Sequence, residues 1–163
     1  MVESYFGKVV VVGSIPTYSS IGKMHTVDKG EVARYMTVAH LIKKGMIVSV
    51  PLTENSSYDL IVDYQGKLHR TQVKKGRFNN GALEISLHTL AKKNQVISPK
   101  HYTAKDIDWL IGVDVEHEKF YLLDYSTGEF DGRNSIWLRV EEGSNKGKRP
   151  IYAINYELDG IIK

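Results

Sequence analysis

Two short runs of strand-forming residues, Tyr58 to Asp63 and Lys67 to Lys74, lie on either side of Gln65-Gly66. A glycine at the second place of so short a gap suits the two-residue turn whose twist matches that of paired strands, a weaker form of the Asn-Gly signal. Such a turn leaves almost no freedom in how the two runs pair. Residue 64 meets 67, and counting back along both strands brings Asp59 opposite Gln72. Residues two apart share a face, so Lys74, Arg70 and Ile61 join Asp59 and Gln72 on one side. Leu60, Val62, Thr71 and Val73 point to the other.

Ahead of this hairpin, Asp28 to Lys44 is predicted to be the one long helix. Asp28 is placed as its N-cap with Glu31 three residues on, a capping-box spacing. Tyr35, Val38, Leu41 and Ile42 recur at helical spacing and are read as its core face, and Gly45 closes it. Glu31 stands four residues before Tyr35, on the same stripe, and so is expected to point at whatever the helix packs on. Met46 to Pro51, Leu83 to Leu87, Trp109 to Val115, Phe120 to Asp124 and Ser135 to Val140 are read as further strands, and Tyr5 to Val12 as an N-terminal strand ended by Gly13 to Ser20. Ala153 to Leu158 is read as a short terminal helix, and Asn145 to Pro150 as a basic loop. One helix ahead of a run of strands implies an α+β or layered α/β architecture. With 163 residues and no repeat or linker, one domain is expected across 1–163.

Composition narrows the function classes. There are no cysteines, which excludes thiolate metal sites, thiol nucleophiles and a disulfide framework. The longest apolar run near the start, Val9 to Val12, is too short for a signal-peptide core or a membrane span, so the expected location is cytoplasmic. The formal net charge is only +3, a weak argument for nucleic acid by itself. Its distribution says more: Lys67, His69, Arg70, Lys74, Lys75 and Arg77 cluster, followed by Lys92, Lys93, Lys100, His101 and Lys105.

The shared face of the hairpin brings together an acid, an amide and an amine, and Glu31 of the helix is placed to reach the same patch. That is suitable equipment for hydrolysing a phosphodiester. Hard oxygen ligands hold Mg²⁺, which polarises the phosphate and acidifies a bound water. A lysine beside it orients the water and offsets charge that builds on the phosphate.

The string Gly30-Glu31-x-Ala33, then Gly45 with Val48 and Pro51, then Tyr58-Asp59-Leu60-Ile61-Val62, then Arg70-Thr71-Gln72-Val73-Lys74 resembles the PD-(D/E)XK nuclease superfamily. More closely, it is similar to the group I intron-associated homing endonucleases that carry Gln-x-Lys in place of (Asp/Glu)-x-Lys. The resemblance runs from residue 24 to 158, leaving 1–23 as an N-terminal extension. It implies an α/β PD-(D/E)XK core, a mixed sheet with a long helix packed on it, and a Mg²⁺-dependent endonuclease acting on double-stranded DNA to leave 5′-phosphate ends. It assigns Asp59 as principal metal ligand, the Val73 carbonyl and the Gln72 side chain as further ligands, Lys74 as the catalytic lysine, and Glu31 as the helix carboxylate that completes the site. It also implies a homodimer or a homotetramer, since one small domain does not read a long, near-palindromic site alone. The chain departs from the family pattern in having Tyr58 rather than proline before Asp59.

Each of these residues alone has an ordinary reading: Asp59 as a polar strand start, Gln72 and Lys74 as a solvated hairpin face, Glu31 as a capping partner. Their joint placement favours the nuclease. DNA contacts are expected from Arg70, Lys75, Arg77, Asn79, Asn80, Lys92 and Lys93, with the segment Gly76 to Gly81 read as a loop leaving the catalytic strand. The six histidines show no short metal-ligand spacing; most are read as surface residues, with His69 and His101 as candidate phosphate contacts. Trp109 and Trp137 are read as core or interface. A Holliday-junction resolvase and a decayed, non-catalytic DNA-binding module are the alternatives. The Gln-x-Lys variant argues against the first, and the joint presence of Glu31, Asp59 and Lys74 against the second.

Overall fold

Helix α1 (Thr26–Lys43, 18 residues) lies over a sheet, and the residues it buries are small at the centre: Ala33, Thr37 and Leu41 have no exposure. The computed structural model describes residues 26–53, 56–93, 96–140 and 150–162. The Thr37 hydroxyl, buried in this contact, donates to the Ala33 carbonyl at 2.8 Å and so is satisfied within the helix. The core stripe therefore differs from the expected one. Leu41 and half-buried Val38 belong to it, whereas Tyr35 and Ile42 are 63% and 56% exposed. A helix lying flat on a sheet needs small side chains where the two backbones come closest, and counting bulky apolar residues misses them. The helix begins two residues before Asp28, so Asp28 lies inside its first turn and is not the N-cap. At the other end Gly45 has φ +82°, with Gly45 N–H donating to the Ile42 carbonyl and Met46 N–H to the Leu41 carbonyl. This is a Schellman stop, which needs a residue that tolerates the left-handed region.

The chain continues through β1 (Ile47–Ser49), β2 (Leu60–Tyr64) and β3 (Lys67–Lys75). Gln65 and Gly66 both have positive φ, 53° and 75°, as the tight hairpin turn requires. Tyr64 pairs with Lys67 and Leu60 with Thr71, the expected register. After β3 come β4 (Arg77–Asn79), β5 (Ala82–Ser86), β6 (His88–Lys93), β7 (Val96–His101), β8 (Trp109–Asp114), β9 (Lys119–Asp124), β10 (Ser135–Arg139) and β11 (Ile151–Tyr152). A five-stranded sheet runs β1-β2-β3-β8-β9; β3 and β8 are parallel and every other neighbouring pair is antiparallel. It is the mixed sheet expected of an α/β PD-(D/E)XK core. A second sheet runs β11-β10-β5-β4, and β6 and β7 form a separate two-stranded ribbon.

These elements make layers. On one side of the five-stranded sheet Leu60, Val62, Val73, Ile111 and Val113 pack under α1. On the other, Leu110, Tyr121 and Leu123 meet Leu83, Ile85, Ile136 and Leu138 of the second sheet. Strand β8 is buried along its whole length, which is why it reads as a nearly continuous apolar run rather than an alternating one. Short helix α2 (Leu158–Ile161), preceded by a 3₁₀ turn at Ala153–Tyr156, replaces the single helix expected at 153–158, and its Leu158 joins the layer under α1.

Strands β4, β6, β7 and β11 were not foreseen. The segment expected to be a loop, Gly76 to Gly81, contains β4 and turns into β5 at Asn80 and Gly81, whose φ values are 49° and 71°. The ribbon was missed because its Lys, Ser, Pro and His content hides the strand pattern when two strands pair mainly with each other. The N-terminal extension and residues 145–149 of the basic loop lie outside the described residues. No helix among the described residues is long and apolar enough to cross a membrane.

Gly112 sits mid-β8 on the face toward the second sheet, where an added Cβ would stand 2.2 Å from Ile85 Cδ1 and 2.8 Å from its Cγ1. Gly112→Ala is therefore expected to destabilise the fold by about 1–3 kcal/mol through overpacking, measured by urea unfolding. Combining it with Ile85→Val, which removes Cδ1, should recover part of the loss. An unchanged midpoint for Gly112→Ala would show that the two sheets are less tightly stacked.

Candidate active site

Asp59 stands one residue before β2 yet is still tied to β3, its N–H donating to the Thr71 carbonyl at 3.0 Å. That bond lies one residue out of the β2–β3 register, a bulge-like step at Asp59, and the carboxylate still turns toward Gln72. Asp59 Oδ2 accepts from Gln72 Nε2 at 2.6 Å and from the Val73 N–H at 2.9 Å. Gln72 Nε2 also lies 3.3 Å from the Val73 carbonyl oxygen. An aspartate oxygen, a backbone carbonyl and a side-chain amide thus meet within a few ångströms. On the same face Lys74 places its Nζ over the Tyr102 ring, 5.2 Å from the centroid. Asp59, Gln72, Lys74, Lys100 and Tyr102 line one cleft of about 450 Å³. Asp59 also borders a second cleft of about 440 Å³, whose wall carries Glu31 and Arg34 of α1.

Burial governs the electrostatics. Gln72 is only 9% exposed. Desolvation pushes the Asp59 carboxyl above its usual range, opposed by the Val73 N–H bond and by the charges of Lys74 and Arg34. Burial likewise draws the Lys74 ammonium down, and Asp59 partly restores it. The Tyr102 hydroxyl is pushed up to about 12, chiefly by burial, and so stays neutral.

The donor set can be tested against a divalent cation. Among the described residues no group of three His, Cys, Asp or Glu side chains assembles, so any site must draw on backbone and amide oxygens. The Gln72 amide nitrogen stands where an electropositive group satisfies both Asp59 Oδ2 and the Val73 carbonyl. Amide nitrogen and oxygen are assigned from such contacts, and a half-turn of the amide presents Oε1 instead. With that turn, Gln72 Oε1 would stand beside Asp59 Oδ2 and the Val73 carbonyl oxygen, three hard oxygens in one group. Hard oxygens of this kind suit Mg²⁺ or a similar dication. The residues fit the group.

The other sequence candidates separate into classes. Glu31 reaches the second cleft, but it is exposed and its Oε2 accepts from Arg34 Nη2 at 2.5 Å. It does not stand on the buried stripe of α1, which is one position offset from the expected face. Arg70, expected to contact DNA, donates its side chain to both Asp108 oxygens at 3.0–3.1 Å and to the carbonyls of Ala104 and Lys105. Arg77 is largely exposed but bonds Glu84 across the β4–β5 pair. Lys75, Asn79 and Asn80 are exposed, and Lys92 and Lys93 end strand β6.

His69 is buried and stacks on Trp109 at 3.7 Å, with burial lowering its pKa, so it is a core residue and no phosphate contact. His101 bonds Asn134 at 2.8 Å. Trp109 is core as expected, and Trp137 is 44% exposed. Sequence reasoning missed Arg34 and Tyr102. Arg34 stands one turn from Glu31, a spacing that was there to be read. Tyr102 follows the unforeseen ribbon and had no local signal.

The sequence profile of the PD-(D/E)XK endonuclease family matches residues 24–159. No curated protein sequence matches the chain. Among solved structures the chain is similar to a bacterial homing endonuclease, I-Ssp6803I, with 24% identity and a TM-score of 0.67 over 85% of this chain and 92% of that one. At this identity the likeness is one of fold.

The Arg70–Asp108 pair is expected to brace strand β3 on the face it shares with Gln72 and Lys74. Asp108 also accepts from the Arg70 N–H at 2.8 Å, and the Arg70 hydrogen bonds hold its carboxyl below the usual range. A depressed folded-state pKa means that this stability is present above the unfolded carboxylate value and is lost as pH falls through the folded one. Asp108→Ala should cost about 1–2 kcal/mol at neutral pH, discounted because both side chains are about one-third exposed. Urea unfolding at neutral and acidic pH checks it: the gap from wild type should narrow with acidification, and a constant gap would contradict an ionic origin.

Proposed function

The chain belongs to the PD-(D/E)XK endonuclease family, and from that premise we propose that it is a Mg²⁺-dependent homing endonuclease that cuts double-stranded DNA at a long specific site, with Asp59, Gln72 and Lys74 as its working residues. The observation that carries this reading is the convergence of Asp59 Oδ2, the Val73 carbonyl and the Gln72 amide at 2.6–3.3 Å, with Lys74 on the same face.

Asp59, the Val73 carbonyl and Gln72 would hold the cation, and Glu31 would complete the site from α1. A bound dication would supply charge neutralisation at the phosphate and a more acidic water. Burial makes a negative charge on Asp59 costly without a cation and favourable with one. Lys74 donates to the attacking water and to the non-bridging oxygen on which charge builds. Attack of water on phosphorus, with its proton passing to solvent, breaks the bond to the 3′ oxygen, which takes up a proton and leaves a 3′-hydroxyl and a 5′-phosphate end. The cleft beside Lys100 and Tyr102 shields this face from bulk water.

The homing role is supported by the Gln-x-Lys variant and by the fold shared with a bacterial homing endonuclease. Lys75, Arg77, Asn79, Asn80, Lys92 and Lys93 are proposed to contact DNA: Lys75 ends the catalytic strand, Arg77, Asn79 and Asn80 follow it, and Lys92 and Lys93 end β6 of the ribbon. A homodimer or homotetramer would let two copies address the halves of one site.

Cleavage of a random plasmid library in Mg²⁺, read by sequencing the cut ends, tests the reading. Recurrent cuts at one long motif are expected; cuts confined to four-way junctions would overturn the homing role. Asp59→Ala and Lys74→Ala should each lower the cleavage rate by at least ~10²-fold while gel shifts remain near wild type. Wild-type cleavage by either would remove these residues from the active site.

A second substitution addresses the amide. Gln72→Glu should retain activity, since a carboxylate oxygen replaces Oε1 at the same reach, whereas Gln72→Leu should lose most of it and weaken Mg²⁺ binding in isothermal titration. Equal cleavage by the Leu variant would place Gln72 outside the metal site.

A further inference from the structure

Arg34 has no part in the roles set out so far, yet it lies in the cleft where they meet. Its Nη2 is 2.5 Å from Glu31 Oε2, and the side chains of Arg34 and Glu31 are 28% and 47% exposed. Both line the same cleft as Asp59, together with Pro51, Thr53 and Tyr58. The Arg34 charge also acts on the Asp59 carboxyl. A pair one helical turn apart on an open helix face would be a weak surface contact. This pair instead borders a half-buried carboxylate, where its charges bear on what the cleft binds.

The charges make the consequence definite. With Gln72 where a carboxylate would stand, negative charge for a dication comes from Asp59 and Glu31. While Arg34 holds Glu31 in an ion pair, Asp59 is the one of these two carboxylates without a salt bridge among the described residues. A guanidinium is permanently charged and its forked donors match a phosphate as well as a carboxylate.

We propose that Arg34 is the phosphate-binding residue of this site, and that an arriving DNA phosphate takes Arg34 from Glu31 and so frees Glu31 for the cation. The proposal rests on the nuclease reading above and adds to it a coupling between DNA and metal. By linkage the coupling is reciprocal: DNA tightens metal binding and metal tightens DNA binding. Without DNA the Arg34–Glu31 pair keeps the cation site short of one ligand, which restrains cleavage to the moment when a backbone phosphate is in place.

The test uses the full chain with Mn²⁺ alone as the metal probe in isothermal titration, and plasmid nicking as the second readout. Arg34→Met should bind Mn²⁺ severalfold more tightly than wild type without DNA, because Glu31 is released. Adding Glu31→Gln to Arg34→Met should abolish that gain. The same Arg34→Met variant should nick at least ~10²-fold more slowly, as loss of a charge at the phosphate requires, and Arg34→Lys should recover part of the rate. Circular dichroism melting of each variant separates these effects from unfolding.

Unchanged Mn²⁺ affinity in Arg34→Met would overturn the proposal, as would wild-type nicking. If Asp59→Asn binds Mn²⁺ as wild type does, the metal site itself is misplaced and both readings fall. If Asp59→Asn loses Mn²⁺ while Arg34→Met behaves as wild type, only the role of Arg34 falls.

Discussion

The register of the β2–β3 hairpin is the constraint on which the rest depends. It is set at the turn, where Gln65 and Gly66 both occupy the left-handed region, and it holds as far as the Leu60–Thr71 pair, next to Asp59. A slip of one residue would turn every side chain of one strand to the opposite face. Asp59 would then point under α1 among Leu60, Val62 and Val73, and the polar cluster would not exist. The chemistry is therefore as firmly specified as the core, because the same alternation places both.

Strand β3 is covered on both faces, and this gives the polar residues their unusual setting. One face supplies Thr71 and Val73 to the layer under α1; the other supplies Gln72 and Lys74 to the side on which the second sheet and the ribbon lie. Gln72 at 9% exposure is an amide buried for a reason, since a polar group taken from water must find partners. Asp59 and the Val73 carbonyl are those partners. Burial raises the Asp59 pKa and lowers that of Lys74, so both charged forms are under strain that a cation and a phosphate would relieve. Residues that stabilise a fold seldom sit in such an arrangement, whereas functional sites commonly do.

Basic residues that look equivalent in a sequence do different work here. Arg70 bonds Asp108 and two carbonyls and ties β3 to the segment that leads into β8. Arg77 answers Glu84 across a strand pair. Arg34 answers Glu31 at the rim of the cleft that Asp59 shares. His69, which belongs to the same basic cluster, is a stacking partner of Trp109 inside the fold. Charge clustering along the chain thus does not distinguish a basic side chain facing solvent from one bonded within the fold.

The sequence by itself determined what depends on local geometry. Strand alternation and a two-residue turn suffice to bring the side chains of Asp59 and Gln72 together and to place Lys74 on the same face, and a glycine past the last helical residue suffices to stop α1. The Gln-x-Lys string within its apolar frame was enough to identify the family. Contacts between elements distant in the chain were decided only by the tertiary structure. Which face of α1 is buried depends on how closely the helix approaches the sheet, which favours Ala33 and Thr37 over the bulkier Tyr35 and Ile42. Tyr102 meets Lys74 because a polar ribbon folds back beside β3, and no periodicity in that ribbon announces it. The occupation of Arg70 depends on Asp108, thirty-eight positions away. A side chain's partner is chosen by packing across the whole chain, and a local pattern carries no record of that choice.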